Sequence, residues 1–254
     1  QVEKTVQLID EGNTIPFIAR YRKEATGGLS DDILRELDTR LAYLRGLEER
    51  KEEVIRLIDE QGKLTDELKE EILKAEVLQR IEDLYKPFKQ KKATRASKAK
   101  EKGLEPLAMI FWKQEKETGS IEELAAEFVN EEKGVESEDK AIAGACDIIA
   151  EMISDDPEIT AAVREYTFSS AVITSTATDP EEKSVYETYY EYSEAVSRIP
   201  NHRVLAINRG EKEEKLKVKV ELDVDKVLKM IRDMVVTSEN SIFTELLEAT
   251  IADA

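Results

Sequence analysis

The segment Lys86–Gly103, KPFKQKKATRASKAKEKG, holds the side chains best suited to chemistry with a polyanion. Lys86, Lys89, Lys91, Lys92, Arg95 and Lys98 are the candidate phosphate contacts, and Lys100 and Lys102 bring the run to eight basic residues against Glu101 alone. The rest of the chain carries 30 basic and 55 acidic residues, and the whole has a net charge of −18. Ammonium and guanidinium groups neutralise phosphates and release their counterions. The same charges can also dock on the acidic surface of their own chain, and residue types alone leave both readings open. A charge run is usually a solvated loop. Here Pro87, Ala93, Thr94, Ala96 and Ser97 permit close backbone approach, and the apolar segments Leu84-Tyr85 and Leu104–Ile110 anchor the run at both ends. A smaller basic edge, Arg20, Arg22 and Lys23, borders the apolar side Phe17, Ile18 and Tyr21 of a short predicted helix.

Residues for catalysis are scarce. His202 is the single histidine and Cys146 the single cysteine, too few for a His/Cys metal cluster. His202 follows Pro200-Asn201 and reads as structural; Cys146 lies in the apolar run 141–150 and reads as a buried thiol. There is no G-x-G-x-x-G or Walker A pattern, and carboxylate pairs such as Glu131-Glu132 and Glu213-Glu214 sit in solvated, charge-rich stretches. No catalytic residue, metal site or cofactor is expected, so the chain is predicted not to be an enzyme. Tyr186, Tyr189, Tyr190 and Tyr192 are interleaved with Glu187, Glu191 and Glu194, which favours packing over stacking on nucleic-acid bases.

Capping and periodicity supply the scaffold. At 254 residues the chain has room for two cores, and a 37% charged fraction with only 10 Gly and 6 Pro favours helix. Ser30 caps a segment with Ile33, Leu34, Leu37, Leu41, Leu44 and Leu47 at helical spacing, resumed by Val54, Ile55 and Ile58. Gly46 and the charged interval 48–53 predict a bend or solvated turn between the two halves. Thr65, Ser120, Asp156 and Asp223 mark further helix starts. Leu216–Leu222 alternates strictly, which predicts a strand, and pairing it with Val204–Asn208 gives a β-hairpin near 203–222. The expected fold is mainly α and multi-helical, with a long helix and one small β-hairpin. No apolar run reaches the ~20 residues of a membrane helix. Both ends break in mid-pattern, so a soluble cytoplasmic fragment is expected.

Three stretches resemble the bacterial Tex family of RNA-binding transcription accessory factors. Gly12–Leu29, GNTIPFIARYRKEATGGL, is similar to the family's N-terminal signature. Leu84–Ala108, LYKPFKQKKATRASKAKEKGLEPLA, is similar to its basic linker and following helix, and Arg198–Val220 to its RIP-x-HR and RGE segment. Asn201 stands where the family pattern has Ser, and the basic run is less dense in Arg and Thr than is usual. The resemblance implies a helical region 1–103 with a helix-turn-helix-like element and the basic linker, then a second helical region 104–254. It also implies truncation before RNase H-like, helix-hairpin-helix and OB-fold domains. RNA or DNA is the implied partner, with the transcription machinery as a further one. The alternative is a protein-interaction scaffold that docks the missing domains or the transcription machinery; Arg20, Arg22 and Lys23 are candidates for either an interdomain or a nucleic-acid contact.

Overall fold

Helix starts follow the polar caps written in the sequence. Ser30, Thr65, Thr94, Ser120, Ser137, Asp156 and Asp223 each accept a backbone N–H from two or three residues on. The computed structural model describes residues 1–89 and 93–254, which form two compact units, Gln1–Phe88 and Lys89–Ala254. The first holds α1 (Val2–Asp10), α2 (Ile15–Tyr21), α3 (Lys23–Thr26), α4 (Asp31–Asp59), α5 (Asp66–Lys74) and α6 (Leu78–Tyr85). Ile15, Ile18 and Leu34 pack with Leu8, Ile9, Ala19 and Leu29 around the N-terminal half of α4. Leu47, Val54 and Ile58 of the same helix pack with Ile72, Ala75, Ile81 and Leu84.

The expected bend in α4 is absent. The helix runs unbroken for 29 residues, about 43 Å at 1.5 Å per residue. Lys51 explains why. It falls in the same stripe as Leu47, Val54 and Ile58 and is buried, and its ammonium donates to Glu48 (2.8 Å) and to the Leu73 carbonyl (2.9 Å). That carbonyl lies in the last turn of α5, where a helix has unsatisfied acceptors and a negative dipole end. Arg50 bonds Glu53 and Glu82 at 2.6 and 2.7 Å, with its guanidinium 5.4 Å from the Tyr85 ring centre. A stretch that reads as solvated by composition is therefore the seat of α5 and α6.

The second unit contains α7 (Arg95–Glu101), α8 (Glu105–Lys113), α9 (Ile121–Ala126), α10 (Glu138–Asp155), α11 (Pro157–Ser170), α12 (Asn201–Lys212), α13 (Val224–Val235) and α14 (Thr244–Asp253), with a small sheet. Helix α10 is its axis: α7, α8, α9, α11 and α14 all pack on it. Ala141, Ala145, Ile148, Ile149 and Ile153 of α10 meet Ala96, Ala99, Leu107, Phe111, Phe243 and Leu247 in one core. A half-buried Cys146 sits within this packing, and burial pushes its thiol up, so at neutral pH it is a protonated, poor nucleophile.

The sheet has order β2-β1-β3, all antiparallel, with β1 Val172–Ala177, β2 Glu191–Ala195 and β3 Leu216–Glu221. The alternating segment is a strand as expected, but the hairpin is not formed. Val204–Asn208 lies within α12, and β3 pairs with β1 instead, Val172 opposite Glu221 and Ala177 opposite Leu216. The physical reason is visible in both segments. Val204-Leu-Ala-Ile carries no alternation to sort two faces, and Pro200 supplies an extended N-cap for a helix. On that helix Gly210 admits the Leu216 side chain so closely that a Cβ there would fall 2.6 Å from Leu216 Cδ1. The tyrosines serve this packing. Tyr186 is buried beside Gly210, Tyr190 donates to the Glu182 carbonyl, and Tyr192 bonds Glu194, which also accepts from Arg203.

Two outcomes test these assignments. Lys51→Ala should lower stability by about 2 kcal/mol or more, through a cavity and an unsatisfied Leu73 carbonyl. Lys51→Met, which keeps the packed stem, should lose less. Equal stability of Lys51→Ala and the parent in urea unfolding would show that the lysine does not hold α5. Gly210→Ala should cost about 1–3 kcal/mol by overpacking against Leu216; an unchanged melting temperature would contradict the close α12–β3 approach.

Candidate nucleic-acid interface

Helix α7 positions the basic residues. Thr94 and Ser97 form a reciprocal capping box: Thr94 Oγ1 accepts from the Ser97 N–H at 3.0 Å and Ser97 Oγ from the Thr94 N–H at 2.8 Å. Ala96 and Ala99 are the buried face of this short helix, pressed on α10. Their small size brings the two backbones close. Gly144 of α10 faces the same junction: a Cβ there would meet Leu104 Cδ1 at 2.4 Å and the Ala99 Cβ at 3.4 Å. Burial of the alanines forces Arg95, Lys98, Lys100 and Lys102 to the outside, and Gly103, with φ +85°, ends the segment.

The two sides of α7 differ in charge. On one side Arg95 donates to Asp253 at 2.6 Å and lies 3.3 Å from Asp147. Thr94 Oγ1 donates to Glu151 at 2.9 Å, and the Lys100 ammonium is 3.6 Å from the same carboxylate. The Asp253 hydrogen bond, helped by Asp147, raises the Arg95 pKa further. Thr94, Arg95, Asp147, Glu151 and Asp253 line an open hollow of about 270 Å³ between α7, α10 and α14. On the other side Arg95, Lys98, Lys102 and Lys140 line a second hollow of about 260 Å³ together with Ala99, Ala143 and Gly144. Asp147 is the one acid among its lining residues. Lys102 donates to the Gly134 carbonyl at 3.0 Å, and Lys140 pairs with Glu136 at 2.5 Å, holding that carboxyl below its ordinary range. The volume lies below the roughly 300–1,000 Å³ of small-molecule sites. An open, shallow, cationic hollow of this size suits one phosphodiester unit of a strand passing over the surface.

The expected residues are thus sorted. Arg95 and Lys98 lie at the basic hollow; Lys89 is exposed where the second unit begins; Lys86 belongs to a single 3-10 turn, Lys86–Phe88, at the end of the first unit. Lys91 and Lys92 fall outside the described residues. Lys140 was not legible as a site residue, being 42 positions beyond Lys98 in an acidic context. Its one signal is a cation in the first turn of α10, where the helix dipole disfavours positive charge. Arg20 lies in α2, Arg22 between α2 and α3, and Lys23 opens α3, with the two guanidinium groups against aromatic rings. Among the described residues no group of three or more His, Cys, Asp and Glu side chains is placed to hold a metal ion, and no helix is long and apolar enough to cross a membrane.

The cap offers a direct check on how α7 is held. Thr94→Ala removes the Ser97 cap bond and the Glu151 contact together and should cost about 1 kcal/mol, with Thr94→Ser retaining most of it. Denaturant unfolding in which Thr94→Ala matches the parent would show that α7 is not anchored this way.

Comparison with known proteins places the chain in a family. Residues 1–59 match the Tex-like protein N-terminal domain and residues 116–251 the Tex central region-like family. The chain is 45% identical to the YdcI protein of Bacillus subtilis over 100% of its own length and 36% of that relative's. It is 39% identical to the transcriptional accessory protein Tex of Neisseria gonorrhoeae, covering 89% of this chain and 30% of that one. The human S1 RNA-binding domain-containing protein 1 is 29% identical over 85% of this chain and 22% of its own length. The chain therefore spans about a third or less of these relatives. Since the central-region match alone covers more than half of the 254 residues, the chain belongs to the Tex family.

Proposed function

We propose that this chain is a non-enzymatic part of a Tex-like transcription accessory factor that contacts the phosphate backbone of RNA or DNA through the hollow beside α7. One observation carries the reading: Arg95, Lys98, Lys102 and Lys140 converge on one open hollow in a chain of net charge −18. Point-charge ammonium groups fix a backbone without reading bases, so binding is weak and largely independent of sequence. The chain's overall negative charge opposes a polyanion at long range, so affinity appears chiefly at low salt. The names of two relatives, a transcriptional accessory protein and an S1 RNA-binding domain-containing protein, support a role next to transcription and RNA. A cytoplasmic location and a helix-turn-helix-like role for the α1–α4 region belong to the same proposal.

A second reading has its own support. Arg95 and Lys100 are turned to Asp147, Glu151 and Asp253, so part of the basic helix is already spent on the protein's own acids. On that reading the segment is a docking element of a protein scaffold, whose other partners are domains of the longer protein or the transcription machinery.

Salt separates the two. Log affinity for single-stranded oligonucleotides should fall with log salt at about −0.7 per phosphate contact. Replacing Lys98, Lys102 and Lys140 by Gln should reduce that slope by about 2 units while circular dichroism stays unchanged. A slope and affinity equal to the parent's would remove the hollow from the interface. Loss of thermal stability with no change in binding would favour the scaffold reading.

A further inference from the structure

Four arginine–aromatic pairs occur among the described residues, and two of them lie side by side on α2. Arg20 sits 5.9 Å from the Tyr21 ring centre and Arg22 5.2 Å from that of Phe17. The two rings are themselves 5.2 Å apart, inclined at 47°. The other pairs are explained by packing. Tyr43, beneath Arg40, accepts the Leu78 N–H at 3.2 Å; Tyr85, beside Arg50, borders a guanidinium bound to two carboxylates. On α2 neither explanation applies. Tyr21 is 59% exposed and Phe17 37%, although Ile18 between them is completely buried. Helix α2 therefore spends its Ile15–Ile18 face on the core and leaves its aromatic face to solvent.

The charges around the rings are also unspent. Arg35, Arg45, Arg50, Arg56, Arg80 and Arg95 each hold a carboxylate within 4 Å, whereas among the described residues Arg20 and Arg22 hold none. A guanidinium stacked on a ring keeps its N–H donors in the plane for other acceptors; among the described residues the Arg22 guanidinium makes one weak hydrogen bond, to the Tyr21 carbonyl at 3.4 Å. From Gly12 to Lys23 there are three basic residues and no acid, in a chain with 56 acids. Exposed rings flanked by unpaired guanidinium groups are what an unstacked base and its phosphate require.

We propose that the Phe17–Tyr21 face of α2, with Arg20 and Arg22, is a stacking platform for bases of single-stranded nucleic acid. It lies in a different unit from the hollow beside α7 and does a different job. The hollow neutralises phosphate and accepts any strand; the platform needs an unpaired base and so selects single strands. The reading above concerns the phosphates alone, and this one stands on separate residues and a separate readout.

The test compares the full 254-residue chain on single-stranded oligonucleotides with bases and on abasic strands of equal length and charge. The normal strand should bind about five-fold or more tighter, the size expected for one stacked base, and a 2-aminopurine in it should lose fluorescence. Tyr21→Leu should erase both differences and leave abasic binding unchanged; Tyr21→Phe should preserve them. Phe17→Leu, which keeps an apolar side chain at a half-buried position, should act in the same direction as Tyr21→Leu. Equal binding of normal and abasic strands overturns the platform while leaving the phosphate reading standing. Quenching that persists undiminished in both Tyr21→Leu and Phe17→Leu also overturns it, since the base then stacks elsewhere. Absence of binding by either strand at low salt overturns both.

Discussion

The close contact of α7 with α10 governs what the second unit can do. Two alanines and a glycine replace the side chains that would normally hold helices 8–10 Å apart, and Leu104 fills the space that Gly144 vacates. A seven-residue helix has little stability of its own, because nucleation is costly and few bonds follow it. Its stability comes from the cap at Thr94 and from this seam. Once the alanines face inward, the helical period leaves the arginine and lysines no other direction than outward, along one ridge between two hollows. The electrostatic surface is thus a by-product of a steric fit, and both hollows share Arg95 as a common wall.

That arrangement resolves the puzzle of a basic run in an acidic protein without making the two explanations compete residue for residue. Arg95 and Lys100 turn to Asp147, Glu151 and Asp253, all of them partly or largely solvent-accessible groups whose pairing contributes orientation more than stability. Lys98 and Lys102 lie toward the opposite side with Lys140. The internal acids therefore set how the ridge sits, and the remaining ammonium groups are presented as a consequence. A strand seated in the basic hollow would share Arg95 with Asp147, so recognition there would be coupled to how firmly α14 is held through Asp253.

Much of this was legible in the chain and some of it was not, for identifiable reasons. Caps and apolar spacing located nearly all helices, because those signals act within one turn of the backbone. The α4 bend failed because Lys51 counts as polar by type while acting as a core residue, its charge satisfied by a carbonyl 22 residues away. The hairpin failed for a related reason. Leu216–Glu221 shows its own periodicity, but which strand it pairs with depends on distant β1 and on the space left by Gly210. In the candidate interface the clustered lysines of α7 could be read directly, and Lys140 could not, since only the fold brings the first turn of α10 beside them. The aromatic face of α2 was visible as composition, but its exposure depends on Ile18 taking the only buried direction.

The small sheet has a consequence for how the molecule is made. Its central strand, β1, is synthesised before either neighbour, yet its pairing with β3 spans about 40 intervening residues that include β2 and α12. Closing that interval costs chain entropy before any ladder bond repays it, whereas β1 meets β2 across only the short segment 178–190. The β1–β2 ladder is therefore the natural first product of the sheet on a growing chain, and the helical core closes only when α14 has been made. The sheet is completed only after β3 has emerged, and until then β1, with its Ile-Thr-Ser-Thr sequence, keeps the edge that β3 will cover open to pairing with another chain.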